Sequence, residues 1–381
     1  MTLHSDKSAS IVIIGGGAAG LTAAGALKHL GIESTILDRD AHVGDVWAHR
    51  YDRLRLHTVR QFSGLAHLGI PRDFPRYLTR DEFVQYLQLY ATSFALNIEH
   101  NCQVQTITGS ANDWTVQTSQ GARKASVVIV ATGQYGQPSC PQWIGAANYQ
   151  GRLIHSSEYK TGRDFSGQRV LVIGSGNSGS EIAIDLVEQG AAFVAHSIRT
   201  PSPVVPRDVL GTPVQLFGIV MSTLPPRVAD SLGTAIARIT TGDLRSYGVR
   251  PPAWHPFTAR KSPIIDVGWL SGVKARTIHV RGDVTQFAAE GVVFDDGVQE
   301  TFDAVIAATG FTSGLQQLID VKGLVNERGI PAFRSGQPTN HTGFYFMGYT
   351  ESVRGHLFEA NRDSRRLARL IKRAASIPVP H

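Results

Sequence analysis

The sequence predicts an α/β fold of two Rossmann-like dinucleotide-binding domains, the second inserted into the first, because two features each occur twice. One is a glycine-rich turn between an apolar run and a stretch of helical periodicity, at residues 15–20 and 174–179. The other is an apolar run ending in Ala-Thr-Gly, at residues 127–133 and 304–310. Strand-rich stretches precede both runs. We expect residues 1–149 and 311–381 to form the first domain and residues 150–310 the second.

The glycine-rich turns are the predicted cofactor cradles. In each, the first glycine permits a tight turn, the second lets the backbone approach a pyrophosphate, and the third brings helix and strand together. The helix start offers unpaired N–H groups and a positive dipole end to phosphate. The predicted contacts are Gly15, Gly17, Ala18, Ala19 and Gly20 in the first turn and Gly174, Ser175, Gly176, Asn177, Ser178 and Gly179 in the second. Two dinucleotides in one chain are typical of hydride transfer from a nicotinamide to a flavin.

The residues that end the next strand distinguish the two predicted ligands. Asp38 follows the apolar run 34–37, where a carboxylate accepts hydrogen bonds from ribose hydroxyls and repels a 2′-phosphate. The corresponding run of the second unit ends in Arg199 and Thr200, and a guanidinium suits the 2′-phosphate of NADPH. We therefore assign FAD to the first cradle and NADPH to the second.

Further cofactor contacts are expected beside these elements. They are Arg39, Trp47, His57, Val104, Ala131, Thr132 and Gly133 for the first cradle, and Thr309 and Gly310 for the second. No metal site is predicted.

The composition of the chain argues against several classes of function. Cys102 and Cys140 are the only cysteines and form no CxxC, which argues against a disulfide reductase. Most of the net charge of +6 lies in residues 361–381, so the near-neutral body argues against nucleic-acid binding. This basic tail is predicted to be the solvated face of a last helix with Leu367, Leu370 and Ile371 on its apolar side. Neither a signal peptide nor a run of membrane-spanning length is visible, so we expect a cytoplasmic protein; the sequence leaves its oligomeric state open.

A segment between the cradles carries the first resemblance to a known family. Tyr149, Gly151, His155 and Tyr159 resemble the FxGxxxHxxxY fingerprint of class B flavoprotein monooxygenases, with Tyr149 in place of the first Phe. The ending in Tyr159 is closer to the flavin-containing and N-hydroxylating branches than to the Baeyer–Villiger branch. In that family His155 lies in the interdomain connection, which implies an orienting or hinge role.

The resemblance extends along the chain to the YUCCA-type flavin monooxygenases. It is carried by residues 47–57, 74–77, 172–179, 206–211 and 266–268. The plant members convert indole-3-pyruvate to indole-3-acetate with FAD, NADPH and O2. Amine- and sulfide-oxidising relatives usually carry Asn where this chain has His57, beside the flavin. His57 is therefore the candidate catalytic residue, and Arg207 is a candidate for a substrate carboxylate or a cofactor phosphate.

The chemistry implied by the resemblance belongs mainly to the cofactor. NADPH reduces the flavin, O2 adds at flavin C4a, and the (hydro)peroxide oxidatively decarboxylates an aryl 2-oxo acid resembling indole-3-pyruvate. The partners are thus a small-molecule substrate and O2. N- or S-oxygenation of a small nucleophile, or Baeyer–Villiger oxidation of a carbonyl, remain alternatives on the same scaffold. An NADPH oxidase, a disulfide-type reductase and a non-catalytic nucleotide sensor are the other rivals.

Overall fold

A computed structural model describes residues 10–375. The strands are β1 (Ile11–Ile14), β2 (Thr35–Leu37), β3 (Asn97–Glu99), β4 (Val104–Ser110), β5 (Asp113–Thr118), β6 (Gly121–Ala125), β7 (Val127–Val130), β8 (Gln137–Pro138), β9 (Arg152–His155), β10 (Arg169–Ile173), β11 (Phe193–Ser197), β12 (Val204–Pro206), β13 (Asp208–Val209), β14 (Thr212–Pro213), β15 (Ile264–Asp266), β16 (Ile278–Arg281), β17 (Val284–Ala288), β18 (Gly291–Phe294), β19 (Gln299–Thr301), β20 (Ala304–Ala307), β21 (Phe311–Thr312) and β22 (Phe344–Phe346). The helices are α1 (Ala18–His29), α2 (Asp45–Ala48), α3 (Arg60–Ser63), α4 (Arg80–Ser93), α5 (Asn177–Glu188), α6 (Val214–Met221), α7 (Pro226–Thr240), α8 (Pro256–Ala259), α9 (Trp269–Lys274), α10 (Leu315–Leu318) and α11 (His356–Ala375). Short 3₁₀ turns lie at Ala146–Asn148, Gly162–Phe165 and Arg245–Tyr247.

The first sheet is parallel and has the strand order β22-β7-β1-β2-β3. All four residues of β1 are buried, as expected for a strand covered on both faces. Helix α1 packs against α4 and α11 on one side of the sheet. Because β22 joins this sheet from the far end of the chain, the second unit is inserted into the first, as predicted.

The second sheet repeats this plan with the order β16-β11-β10-β20-β9, again all parallel. Helix α5 packs on β10 and β11, and α9 packs against α5. A three-stranded antiparallel sheet accompanies each parallel one, β4-β5-β6 in the first half and β17-β18-β19 in the second. The predicted α/β fold with two Rossmann-like units is thus confirmed.

The chain passes from the first unit to the second and back again through two segments that lie side by side. Strand β8, where the chain leaves the first unit, pairs antiparallel with β21, where the chain returns. His155, at the end of β9, donates from Nε2 to the carbonyl oxygen of Gly310 at 3.0 Å, while its Nδ1 accepts from the Ser157 amide at 3.1 Å. This bond ties the entry segment to the exit segment, which supports the orienting role expected for His155. The boundaries at residues 150 and 310 stay a prediction.

Two further helical features lie at the edges of the molecule. Helices α6 and α7 cover one end of the space between the two units, and Val214, Phe217 and Met221 of α6 line a pocket there. Helix α11 buries Leu367 and Ile371 against the first unit and leaves Arg362 and Arg369 exposed, which matches the predicted last helix. Within residues 10–375, no helix is both long enough and apolar enough to cross a membrane.

Candidate functional site

One large cleft lies between the two parallel sheets and is lined by both glycine-rich turns. Its volume is about 1680 Å³. A pocket for one small molecule is typically ~300–1,000 Å³, so this cleft has room for more than one ligand. The carboxyl ends of β1 and β10 both lead into turns at its wall, the usual position for ligands in parallel α/β sheets.

The first turn has the geometry of a phosphate cradle. Gly15 has φ +101°, and a Cβ on Gly20 would lie 1.9 Å from the Gly15 carbonyl oxygen, so both positions require glycine. A Cβ on Gly17 would meet no protein atom within 4 Å. Gly17 is also the N-cap of α1 and supplies no side-chain cap, which leaves N–H groups of the first helical turn available to an anion.

The second turn reproduces this geometry. Gly174 has φ +132°, and a Cβ on Gly179 would lie 2.1 Å from the Gly174 carbonyl oxygen. Gly176 faces open space and begins α5 without a side-chain cap. The Asn177 side chain is already engaged, because its Oδ1 accepts from the Ile265 amide at 2.9 Å. The cleft therefore has two helix N-termini without side-chain caps, one for the pyrophosphate of each of two dinucleotides.

Most of the predicted cofactor residues line this cleft, and seven do not. Those in the lining are Gly15, Gly17, Ala18, Ala19, Asp38, Arg39, Trp47, His57, Val104, Ala131, Thr132, Gly133, Gly176, Asn177, Ser178 and Gly310. Those outside it are Gly20, Gly174, Ser175, Gly179, Arg199, Thr200 and Thr309. Gly20 and Gly179 face their own turns, whereas Arg199 and Thr200 are exposed beyond the end of β11. Among residues 10–375, no cluster of three metal-ligating side chains occurs.

Asp38 is a buried carboxylate beside the first cradle. Its side chain lies against Gly16, where a Cβ would be 2.2 Å from Oδ2. Burial raises the pKa of Asp38, and the neighbouring Asp40 raises it further. Arg39 is more than half exposed and lies 3.8 Å from Asp40, so Asp38 is the group positioned for a ribose hydroxyl.

A buried carboxylate that sequence reasoning missed joins the two units at the cleft. Glu181 on α5 is 3% exposed, and its Oε1 lies 2.6 Å from Nε2 of His57, which comes from the first unit between α2 and α3. Tyr51 lies beside Glu181 and Ser178; burial foremost, and the charge of Glu181 next, raise the pKa of Tyr51 well above its usual range. The available signal was the presence of acidic residues, Glu181 and Asp185, among the core-facing apolar residues of α5.

The cations near the cleft differ from those expected. The Arg207 guanidinium stacks 4.3 Å from the centre of the Tyr77 ring and is not part of the lining. Arg50 lines the cleft instead, 5.0 Å from the centre of the Phe311 ring, and burial lowers its pKa. A half-buried guanidinium in the wall is suited to an anionic group of a ligand.

Comparisons with known proteins agree with this geometry. A family model described as pyridine nucleotide-disulphide oxidoreductase matches residues 12–202. The chain is 34% identical over 355 residues to indole-3-pyruvate monooxygenase YUCCA1 of Oryza sativa subsp. japonica, covering 89% of this chain and 86% of that protein. It is 35% identical over 383 residues to YUCCA8 of Oryza sativa subsp. indica, covering 94% and 89%.

Solved structures give the same result. A flavin monooxygenase variant from Stenotrophomonas maltophilia superposes with a TM-score of 0.74 at 26% identity, covering 97% of this chain and 99% of that one. An oxidized steroid monooxygenase bound to NADP has the same fold, with a TM-score of 0.74 at 20% identity, over 97% of this chain and 86% of that one. Two nucleotide cradles on one cleft and relatives matched over nearly their whole length lead to one conclusion: the chain belongs to the YUCCA-type family of class B flavin monooxygenases.

Proposed function

We propose that the protein is a FAD- and NADPH-dependent monooxygenase that oxidatively decarboxylates an aryl 2-oxo acid of the indole-3-pyruvate type. The observation that carries this proposal is the single cleft lined by both cradles, in a chain whose curated relatives are named indole-3-pyruvate monooxygenases. The reaction consumes one 2-oxo acid, NADPH, a proton and O2. It releases the acid shortened by one carbon, CO2, water and NADP⁺.

FAD fits the first cradle for reasons that lie in this chain. The amides of residues 17–19 begin α1 and suit the pyrophosphate, and Asp38 suits a free ribose diol. When bound, the flavin accepts hydride from the nicotinamide and activates O2. The protein binds, orients and desolvates the reactants, because a wet site releases hydrogen peroxide in place of product.

NADPH rather than NADH is proposed for the second cradle. Arg199 and Thr200 follow β11 after one residue, β11 is the strand next to the cradle strand β10, and both side chains are exposed, which leaves the Arg199 guanidinium free to pair with a 2′-phosphate. The Stenotrophomonas variant that superposes on this chain carries Arg and Thr in place of neighbouring Gln and His. This chain has the same dipeptide one residue beyond the end of β11.

The lining of the cleft supports an aromatic, anionic substrate. Phe217, Trp254 and Phe257 contribute aromatic surface, and Arg50, Arg238 and Lys261 contribute positive charge. A flat aromatic ring with a short carboxylate tail matches both features. We place the substrate among these groups by their chemistry.

The test is a product analysis under labelled oxygen. Purified holoenzyme is incubated with NADPH, ¹⁸O2 and in turn indole-3-pyruvate, phenylpyruvate, a tertiary amine and a sulfide. We expect the one-carbon-shorter acid from an aryl-pyruvate, carrying one ¹⁸O atom from O2. Oxygenation of the amine or sulfide alone would replace the proposal with N- or S-oxygenation, and stoichiometric hydrogen peroxide with every compound would leave an oxidase.

A further inference from the structure

Glu181 is a buried carboxylate whose hydrogen-bond partner lies outside its own domain. It lies on α5, two residues beyond the last glycine of the second turn, and is almost completely buried. Burying a carboxylate costs several kcal/mol unless partners offset the loss of water. The hydrogen-bond partner of this carboxylate, His57, comes from the other unit, as does the neighbouring Tyr51.

These three side chains form one group in the wall of the cleft. His57, Tyr51 and Glu181 all belong to its lining, and the His57 side chain keeps 20% of its surface exposed there. Within the described residues, the ion pairs of Glu181 comprise only the one with His57. Since Nε2 points to Glu181, Nδ1 is the ring nitrogen of His57 left for a ligand in the cleft.

We propose that Glu181 is a positioning residue that fixes His57 with a proton on Nε2 and thereby leaves Nδ1 as the ring nitrogen that meets cofactor or substrate. This inference rests on the proposed function and deepens it, because it makes the state of His57 depend on how the second domain is seated. The hydrogen bond spans 124 positions of sequence and forms only when α5 lies against the 51–57 segment. The seating of α5 on the 51–57 segment and the orientation of His57 then depend on each other.

The chain provides a matched control on the same helix. Asp185 lies one turn beyond Glu181 and is equally buried, at 4% exposed. Its Oδ2 accepts from the Tyr159 hydroxyl at 2.5 Å and from the Gly162 amide at 3.0 Å, both in the second unit. Asp185→Asn therefore removes a buried charge from α5 without touching the link between the units.

The first experiment reads the position of the proton directly. In flavin-loaded protein with ¹⁵N-labelled histidine, the ring signals of His57 are assigned by their loss in His57→Gln. We expect a protonated Nε2 in the native protein and in Asp185→Asn, and a new population protonated at Nδ1 in Glu181→Gln. A native His57 protonated on Nδ1 alone, or a Glu181→Gln spectrum identical to the native one, would overturn the proposal.

The second experiment measures how NADPH oxidation is partitioned between product and hydrogen peroxide. Glu181→Gln should lower the product formed per NADPH at least about fivefold, while the KM for NADPH changes less than about twofold. In a His57→Gln background, Glu181→Gln should have no further effect, because the two groups act as one unit. Equal losses from Glu181→Gln in both backgrounds would assign Glu181 a merely structural role.

The two proposals fail in different ways. If no 2-oxo acid yields product with the native enzyme, the proposed substrate class is wrong, yet the nitrogen spectra still report on Glu181. If product forms but the spectra and the partition are unchanged in Glu181→Gln, only the positioning role is wrong.

Discussion

The two glycine-rich turns are built alike, but the helices that they begin carry different residues. In both turns, the third glycine packs against the carbonyl of the first, and the second glycine faces the open cleft. Two residues beyond the third glycine, α1 has Thr22 and α5 has Glu181, and both side chains are buried. The same position on the same type of helix thus carries a neutral hydroxyl in one unit and a carboxylate in the other.

The partners of these two residues show the effect of the difference. Thr22 accepts from the Ala66 amide at 2.9 Å and lies 3.1 Å from the Ser364 hydroxyl, so it supports its own unit. Glu181 bonds to His57 of the opposite unit. A duplicated element therefore provides internal support in one copy and a link between copies in the other.

The largest effect should come from filling the second glycine of each turn. Gly17→Val meets no protein atom and keeps an extended backbone at φ −72°, so the protein should fold. The added side chain occupies the space assigned to the FAD pyrophosphate, and we expect soluble protein without flavin absorbance. The control is Gly176→Val, which should keep the flavin and lose NADP⁺ binding measured by titration. A full flavin spectrum in Gly17→Val would contradict the assignment of FAD to the first turn.

A smaller effect concerns a buried histidine on β11 that contacts the second turn. His196 Nε2 donates to the Gly174 carbonyl at 2.8 Å, and its Nδ1 accepts from Trp269 Nε1 at 2.8 Å. Complete burial lowers its pKa from 6.5 to about 4. Unfolding therefore takes up a proton between these values, and stability is lost as the pH falls through this window.

The size of this loss depends on the pKa difference. We expect urea unfolding to show that the native protein loses roughly 3 kcal/mol more than His196→Gln on going from pH 6.5 to about 4. The variant lacks the titrating ring, so other acid-sensitive groups cancel in the comparison. Parallel pH profiles for the two proteins would show that His196 is not held neutral.

The third prediction distinguishes NADPH from NADH as the ligand of the second cradle. Arg199→Ala should raise the KM for NADPH roughly ten- to a hundredfold, because a charge-assisted contact is worth about 1.5–3 kcal/mol. The KM for NADH should stay nearly unchanged, since NADH has no 2′-phosphate. Steady-state kinetics with both nucleotides provide the measurement. An equal loss with both would mean that Arg199 stabilises the domain rather than the phosphate.

The smallest effect tests the supporting role of Thr22. Thr22→Val keeps the shape and removes the hydroxyl, which leaves the buried Ala66 amide without that partner. We expect unfolding to become easier by about 1–2 kcal/mol. Binding of NADP⁺ and the yield of product per NADPH should match the native protein. Any change in coupling would mean that both helices, and not α5 alone, communicate with the reaction site.

The sequence predicts features that depend on neighbouring residues better than it predicts contacts between distant segments. The turns, the strands that precede them and the closing runs 127–133 and 304–310 were predictable, because each depends on residues within one βαβ unit. The inserted arrangement was expected, but the strand that completes the first sheet was not identified, because Phe344–Phe346 alone is a short aromatic run.

The same distinction between local and long-range features applies to the residues of the site. Asp38 was predictable as the end of a strand next to its own cradle. The contact of His57 with Glu181 was not, because it depends on how one unit rests on the other. Arg207 was expected near a ligand, but the Tyr77 ring holds it outside the lining.

Because β8 pairs with β21, the second domain can be removed or exchanged as one segment. Its entry and exit lie on neighbouring strands, so its removal leaves two chain ends that a short turn can join. Recombination at these two points can exchange the nicotinamide-binding module while leaving the flavin-binding core intact. The contact of Glu181 with His57 is one constraint on such an exchange, because an incoming domain must bring an acid to the position of Glu181 or the recipient must replace His57.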